Sequence, residues 1–162
     1  MTVDPHIRPF DDRDSDAVVG LSLRAWAPVF PHIEEFHGSD VFLAMTPDWR
    51  ASQRETVENA LASATIQTWV VEVDEHVAGF VAVQLHAEHN LGEIHLLAVD
   101  PEHEGHGLGT ALTAFALERI KDAGFPVAMV DTGADPGHAP ARRAYEKAGF
   151  TLVPVARYFK KL

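Results

Sequence analysis

The chain has 162 residues, 46% hydrophobic and 23% charged, an ordinary balance for one globular domain with a core of its own. Lys and Arg number 13 against 24 Asp and Glu, and the net charge of −11 repels nucleic-acid phosphates while favouring a cationic partner. The lack of cysteine excludes a disulfide framework, a thiolate nucleophile and a thiolate metal site, and no apolar run approaches the ~20 residues that span a bilayer.

His6 to Phe10 reads as a first strand, and Asp11 to Ser15 as a polar turn rich in helix-capping side chains. Val18, Leu21, Ser22, Ala25 and Trp26 then fall on one helical face that stops by Pro28. Val29 to Val41 reads as a loop or a short irregular helix. Thr46-Pro47-Asp48 predicts a helix start, with a capping hydroxyl and proline at the first position, and the helix runs to about Ser63. Gln67 to Val73 is β-branched and aromatic, hence a strand. Asp74-Glu75-His76 turns it into a second strand, Val77 to Leu85, with Phe80, Ala82 and Gln84 opposite Val81 and Val83. His86 to Asn90 is a polar turn into a central strand ending in the apolar run Leu96 to Val99. After it come a helix to Gly124, a buried strand Val127 to Thr132, a helix from about Ala139 to Ala148, and two short strands at Phe150 to Val153 and Arg157 to Phe159.

Met1 to Pro5 lacks the basic and apolar regions of a signal peptide, so the expectation is a cytoplasmic setting. The order β-α-α-β-β-β-α-β-α-β-β predicts an α/β fold over one domain, residues 1–162. It has a mixed central sheet of about seven strands and helices on both faces.

The most informative stretch joins the central strand to the helix after it. Asp100-Pro101 stops the strand, and Gly105, Gly107 and Gly109 allow turns and close approaches that a Cβ would block. Leu108, Ala111, Leu112, Phe115, Ala116 and Ile120 then form one helical face. A helix start leaves backbone N–H groups unpaired at the positive end of its dipole, which suits an anion such as phosphate. A dinucleotide fingerprint is excluded because Thr110 stands where its third glycine belongs, and a P-loop because no Lys-Ser/Thr pair closes the loop.

Glu104-Gly105-His106-Gly107-Leu108-Gly109 resembles the pyrophosphate loop, Arg/Gln-x-x-Gly-x-Gly/Ala, of the GCN5-related N-acetyltransferases (GNAT). A second block strengthens the resemblance: Ala141, Tyr145, Glu146, Lys147, Gly149 and Phe150 match the family pattern Asn-x-x-Ala-x-x-x-Tyr-Glu-Lys-x-Gly-Phe. The likeness spans about Trp69 to Phe159, and the element order extends it to the whole chain. It implies acetyl-CoA as co-substrate, with its pyrophosphate on the backbone amides of Gly105, His106, Gly107, Leu108, Gly109 and Thr110. Main-chain groups of Leu97 and Val99 would pair with the pantetheine arm, and an amide near Leu97 would polarise the thioester carbonyl. Glu104, His138 and Ala141 occupy the remaining coenzyme-contacting positions of the motifs.

Tyr145 would donate its phenolic proton to the departing thiolate. The base that deprotonates the amine would be Glu93, where some family members carry a catalytic glutamate, or else His95 or Asp131. Two positions depart from the pattern. Glu104 replaces Arg or Gln and puts a carboxylate near pyrophosphate, and His138 replaces Asn.

His86-x-x-His89 offers two imidazoles without a third ligand, so no metal is expected. Trp26, Phe30, Phe36 and Trp49 are candidates for an acceptor pocket. The function expected is transfer of acetyl from acetyl-CoA to a primary amine of a small molecule, by direct attack in a ternary complex. Aminoglycosides, polyamines, amino acids, peptide N-termini and lysine side chains all fit, and Glu34, Glu35 and Asp40 favour a cationic one. A non-catalytic coenzyme A- or amine-binding module is the alternative that Glu104 supports. The partners expected are acetyl-CoA and the amine, without nucleic acid or membrane, and family members often form homodimers.

Overall fold

A computed structural model describes residues 5–162. Five strands form, β1 (His6–Pro9), β2 (Ile66–Val73), β3 (His76–His86), β4 (Leu91–Val99) and β5 (Val127–Val130). Six helices accompany them: α1 (Ser15–Trp26), α2 (Phe30–His37), α3 (Ser39–Met45), α4 (Trp49–Ala62), α5 (Leu108–Asp122) and α6 (Ala139–Lys147). The strands lie in sequence order in one sheet, with β1 to β4 antiparallel and β5 parallel to β4. A parallel pair needs a crossover connection, and α5 supplies it.

The alternation of β2 to β4 sends side chains to two cores. Val71, Val81, Val83 and Ile94 pack with Leu108, Leu112, Ala116 and Ile120 of α5 on one face. Val70, Phe80 and Ala98 pack with Val18, Leu21 and Val57 of α1 and α4 on the other. Phe80 and Val81 thus take opposite faces, as the alternation predicts. Gly92 lets α5 lie close to β4, because a Cβ there would stand 2.6 Å from the Ile120 side chain.

Three expectations are corrected. The sheet has five strands and not about seven, since residues 151–162 carry no regular structure. Leaving α6 through Gly149 (φ 95°) and interrupted by Pro154, which has no N–H, this segment makes no backbone ladder. Four helices, not two, separate β1 from β2, because Val29 to Val41 and the residues after it coil into α2 and α3. The cap of α4 is Asp48, whose carboxylate accepts from the amides of Arg50 and Ala51 at 3.0 and 3.1 Å, rather than Thr46.

Arg8 fastens β1 to its neighbours. Its guanidinium donates to both oxygens of Asp14 at 2.7 and 2.9 Å and to Glu72 of β2 at 2.6 and 2.9 Å. Asp14 is buried, and the Arg8 hydrogen bonds hold its carboxyl below the usual carboxylate range. Asp14→Asn is therefore expected to destabilise the fold by about 2 kcal/mol at pH 7, measured by urea unfolding. A carboxyl depressed in the fold contributes stability above its unfolded value near ~4 and loses it as pH falls through the folded value. The gap between wild type and variant should accordingly close under acid conditions.

Candidate active site

The site begins with one extra residue in β4. Leu96 pairs with Ala82 and Ile94 with Val83, so His95 has no counterpart on β3 and forms a bulge. Before the bulge Ile94 faces α5. After it Leu97 and Val99 do, while Leu96 and Ala98 join the opposite core. Pairing between β4 and β5 also ends at Ile94–Val130, although β4 continues to Val99. The two parallel strands part there, and the main chain beyond Ile94 is left without a strand partner on that edge.

A cleft of about 100 Å³ opens where they part, lined on the β4 side by Ile94, His95, Leu96 and Leu97. Val130, Asp131 and Thr132 form the wall continuing from β5, and His138, the residue before α6, faces in with Ala141 and Tyr145 of that helix. The latter three are spaced i, i+3, i+7, hence one helical face. Trp26, from the end of α1, closes the group. The volume suits the acetyl thioester end of a coenzyme rather than a whole nucleotide.

Each wall is held by a buried carboxylate. Asp100 ends β4. Its amide donates to the Ala78 carbonyl at 2.8 Å, and its side chain accepts from the Glu102 amide at 3.2 Å and from the Arg24 guanidinium of α1. The Arg24 bond holds its carboxyl below the usual range. On the far wall Asp135 accepts from His138 Nδ1 at 2.5 Å. Burial opposes ionisation of Asp135, but the bond and charge of His138 with the amides of Gly137 and His138 outweigh it, and the carboxyl lies low. Arg142 spans this loop, donating to the Gly133 carbonyl and, at 2.8 Å, to that of Asp135.

Tyr145 packs edge-on to Phe150 with ring centroids 5.8 Å apart. Burial pushes its phenol up from the ordinary tyrosine value, so the proton stays on oxygen at neutral pH.

The glycine loop lies at the start of α5. Gly105 and Gly107 adopt φ of 77° and 79°, and the latter caps the helix. The Ala111 amide bonds to the Gly107 carbonyl, whereas none of the amides from Gly105 to Thr110 has an acceptor among the described residues. Glu104 and His106 are exposed.

The structure thus brings Leu97, His138, Ala141 and Tyr145 together with His95 and Asp131, and sets Gly105 to Thr110 at the helix start beyond Val99. Glu93 does not line the cleft. It stands behind His95, with Oε1 3.5 Å from His95 Nδ1, and Oε2 takes a 2.7 Å hydrogen bond with His86 Nε2. Of the aromatic candidates only Trp26 reaches the cleft. Phe30 stacks on Trp49 at 4.6 Å, and Phe36 is exposed. Sequence reasoning missed Arg24, Asp100, Asp135 and Arg142 as organisers of the walls. The only signal was that Asp100 adjoins Pro101 and Asp135 adjoins Pro136-Gly137.

Comparison with known proteins bears on the family and the fold. The profile of the acetyltransferase (GNAT) family matches residues 26–150. The mycothiol acetyltransferase of Streptomyces griseus is 39% identical over 83 residues, which are 51% of this chain and 26% of that protein. That of Sanguibacter keddieii is 33% identical over 153 residues, covering 84% of this chain and 45% of that protein. This chain therefore spans less than half the length of the curated relatives it matches. An N-acetyltransferase of Thermoplasma acidophilum, solved in complex with coenzyme A, has the same fold at a TM-score of 0.70 and 17% identity, over 94% of this chain and 93% of that one.

The Asp135–His138 pair depends on Gly133, where a Cβ would stand 2.3 Å from Asp135 Oδ2 and 2.5 Å from His138 Nδ1. Gly133→Ala is expected to cost about 1–3 kcal/mol in thermal unfolding, since neither side chain can withdraw from its partner freely. Gly109→Ala, with only Val99 Cγ2 at 3.8 Å, should leave stability equal or raised.

Proposed function

The chain belongs to the acetyltransferase (GNAT) family, and from that premise we propose that it transfers acetyl from acetyl-CoA to a primary amine of a small molecule. The observation that carries the reading is the cleft between β4 and β5, where Tyr145 faces Leu97 across a space of thioester size. Unspent amides at the start of α5 supply an anion site beyond it.

In this reading the pyrophosphate lies on the amides from Gly105 to Thr110, and the pantetheine arm runs along the free edge of β4 by Leu97 and Val99. His138 and Ala141 contact the arm from α6. An amide at Leu97 polarises the thioester carbonyl. The amine loses a proton to His95, with Glu93 behind it, and attacks the carbonyl carbon. The tetrahedral intermediate collapses, and Tyr145 gives its proton to the leaving thiolate. No covalent acetyl-protein step is needed. The exposed side chain of Glu104 is turned toward solvent and weakens, without abolishing, the hold on pyrophosphate.

The acceptor is inferred from charge. A net charge of −11, with Glu34, Glu35 and Asp40 on α2 and α3, draws a cationic small amine. The relatives' names attach acetyl transfer to mycothiol. A cytoplasmic setting fits an acetyl-CoA-dependent reaction. A homodimer is supported by the tail, where Leu152, Val153, Val155 and Tyr158 are 67%, 76%, 80% and 92% exposed, surface that a second copy would cover.

Calorimetry with acetyl-CoA is expected to show saturable binding, tightened about threefold to tenfold in Glu104→Gln. Turnover, followed as free thiol release over an array of polyamines, aminoglycosides and amino acids, should fall about 10²-fold in kcat in Tyr145→Phe with acetyl-CoA binding unchanged. No binding by either wild type or Glu104→Gln would sink the reading. A preference for uncharged amines would overturn the acceptor class. Light scattering on the eluting protein should return twice the chain mass.

A further inference from the structure

Acetyl transfer to an ammonium leaves one proton over. The nitrogen sheds two, one replacing the proton that Tyr145 gives to sulfur, and the other must leave the cleft. The structure offers a route. Behind His95, imidazoles and carboxylates alternate toward the surface: His95 Nδ1 lies 3.5 Å from Glu93 Oε1, and Glu93 Oε2 2.7 Å from His86 Nε2. His86 Nδ1 lies 3.7 Å from Glu88 Oε1, which is 3.9 Å from His89 Nε2. Side-chain exposure is 32% at His95, falls to 18% at Glu93, and then rises through 23% at His86 to 65% at Glu88 and 70% at His89. The 2.7 Å contact is a direct hydrogen bond, and the longer ones need only a small side-chain rotation to become one.

We propose that His95, Glu93, His86, Glu88 and His89 form a proton conduit from the acceptor amine to bulk solvent. The proposal rests on the acetyl-transfer reading and adds to it how the site unloads. His95 takes the amine proton on Nε2 and releases its Nδ1 proton to Glu93. The proton shared between Glu93 and His86 passes to His86 Nε2, and the His86 Nδ1 proton leaves through Glu88. One proton enters and one leaves.

The fold builds this path for reasons that stability does not supply. His95 and Glu93 stand two residues apart on β4, the spacing that puts strand neighbours on one side. Glu93 pairs with Gln84 and His86 with Leu91 across β3 and β4, which sets their side chains side by side at the end of the ladder. The 3-10 turn Ala87–His89, closed by Asn90 at φ 55°, brings Glu88 against His86. The contacts of exposed Glu88, at 3.7 and 3.9 Å, contribute at most about 1 kcal/mol. The other titratable groups facing His95 are Asp131, His138 and Tyr145, all across the cleft.

The test has two arms. In turnover with the best amine of the array, His86→Gln is expected to lower kcat about tenfold, leave KM for acetyl-CoA unchanged, and recover as imidazole buffer is raised. His76→Gln, outside the path, serves as control. A wild-type kcat in His86→Gln, or a loss indifferent to buffer, would overturn the conduit. In the second arm, ring-proton NMR of the resting protein should show a strongly deshielded His86 proton that Glu93→Gln abolishes while also moving the His95 ring signals. Ring signals unmoved by Glu93→Gln overturn it without reference to activity. Failure of the acetyl-transfer reading would appear separately, as a wild type that neither binds acetyl-CoA nor turns over.

Discussion

The bulge at His95 is the constraint on which the rest depends. A strand with strict period two would keep Glu93, His95, Leu97 and Val99 on one face. One unpaired residue reverses that parity halfway along β4. Leu97 and Val99 can then pack against α5, while Leu96 and Ala98 serve the core under α1, so both helices are anchored by the same strand. The local bend also coincides with the last β4–β5 pair, Ile94–Val130. Without the extra residue β5 could follow β4 to its end, and the pocket between them would be filled by main-chain hydrogen bonds.

Parting two strands inside a sheet leaves polar groups and chain ends that something must hold. Asp100 and Asp135 do this on the two sides. Each is buried, and each is kept ionised by a donor: Arg24 of α1, far away in sequence, for Asp100, and His138, three residues on in the turn that leads into α6, for Asp135. A buried charge without its partner would be costly, so these pairs fix where α1 and α6 sit relative to the strand ends. That is how Trp26 and Tyr145 come to share one cleft although they are far apart in sequence.

Much of this was legible in the residues. β-branched and aromatic content gave β2, alternation gave β3, the stripe from Leu108 to Ile120 gave α5, and the second motif block holds Ala141 and Tyr145 of the far wall. What escaped has definable causes. A bulge has no composition of its own, so nothing in Ile94-His95-Leu96 announces which residue is extra. The segment after Gly149 is apolar and β-branched, and local propensity reads it as strand, but a strand exists only where an edge pairs with it. Phe30 to Met45 has helical spacing too short to separate from irregular loop until Gly38, at φ 84°, divides it into α2 and α3. Arg142 drew no reading from the sequence, because its acceptors are main-chain carbonyls that carry no sequence signal.

The acyl transfer proposed above, from a thioester to an amine, would need a cleft with two chemically unlike ends. The sulfur end must keep a proton in reserve until the carbon–sulfur bond breaks, which favours a phenol withdrawn from water, as Tyr145 is beside Phe150. The nitrogen end must accept a proton and be rid of it before the next amine arrives, which favours a group in contact with others that reach solvent. In the proposed reaction His95, with Glu93 and His86 behind it, would take that part. Were both ends dry, the acceptor proton would be trapped. Were both wet, water would compete with the amine for the thioester. The packing of α6 on one wall and the hairpin end of β3 and β4 on the other keeps the two environments apart across a cleft of about 100 Å³.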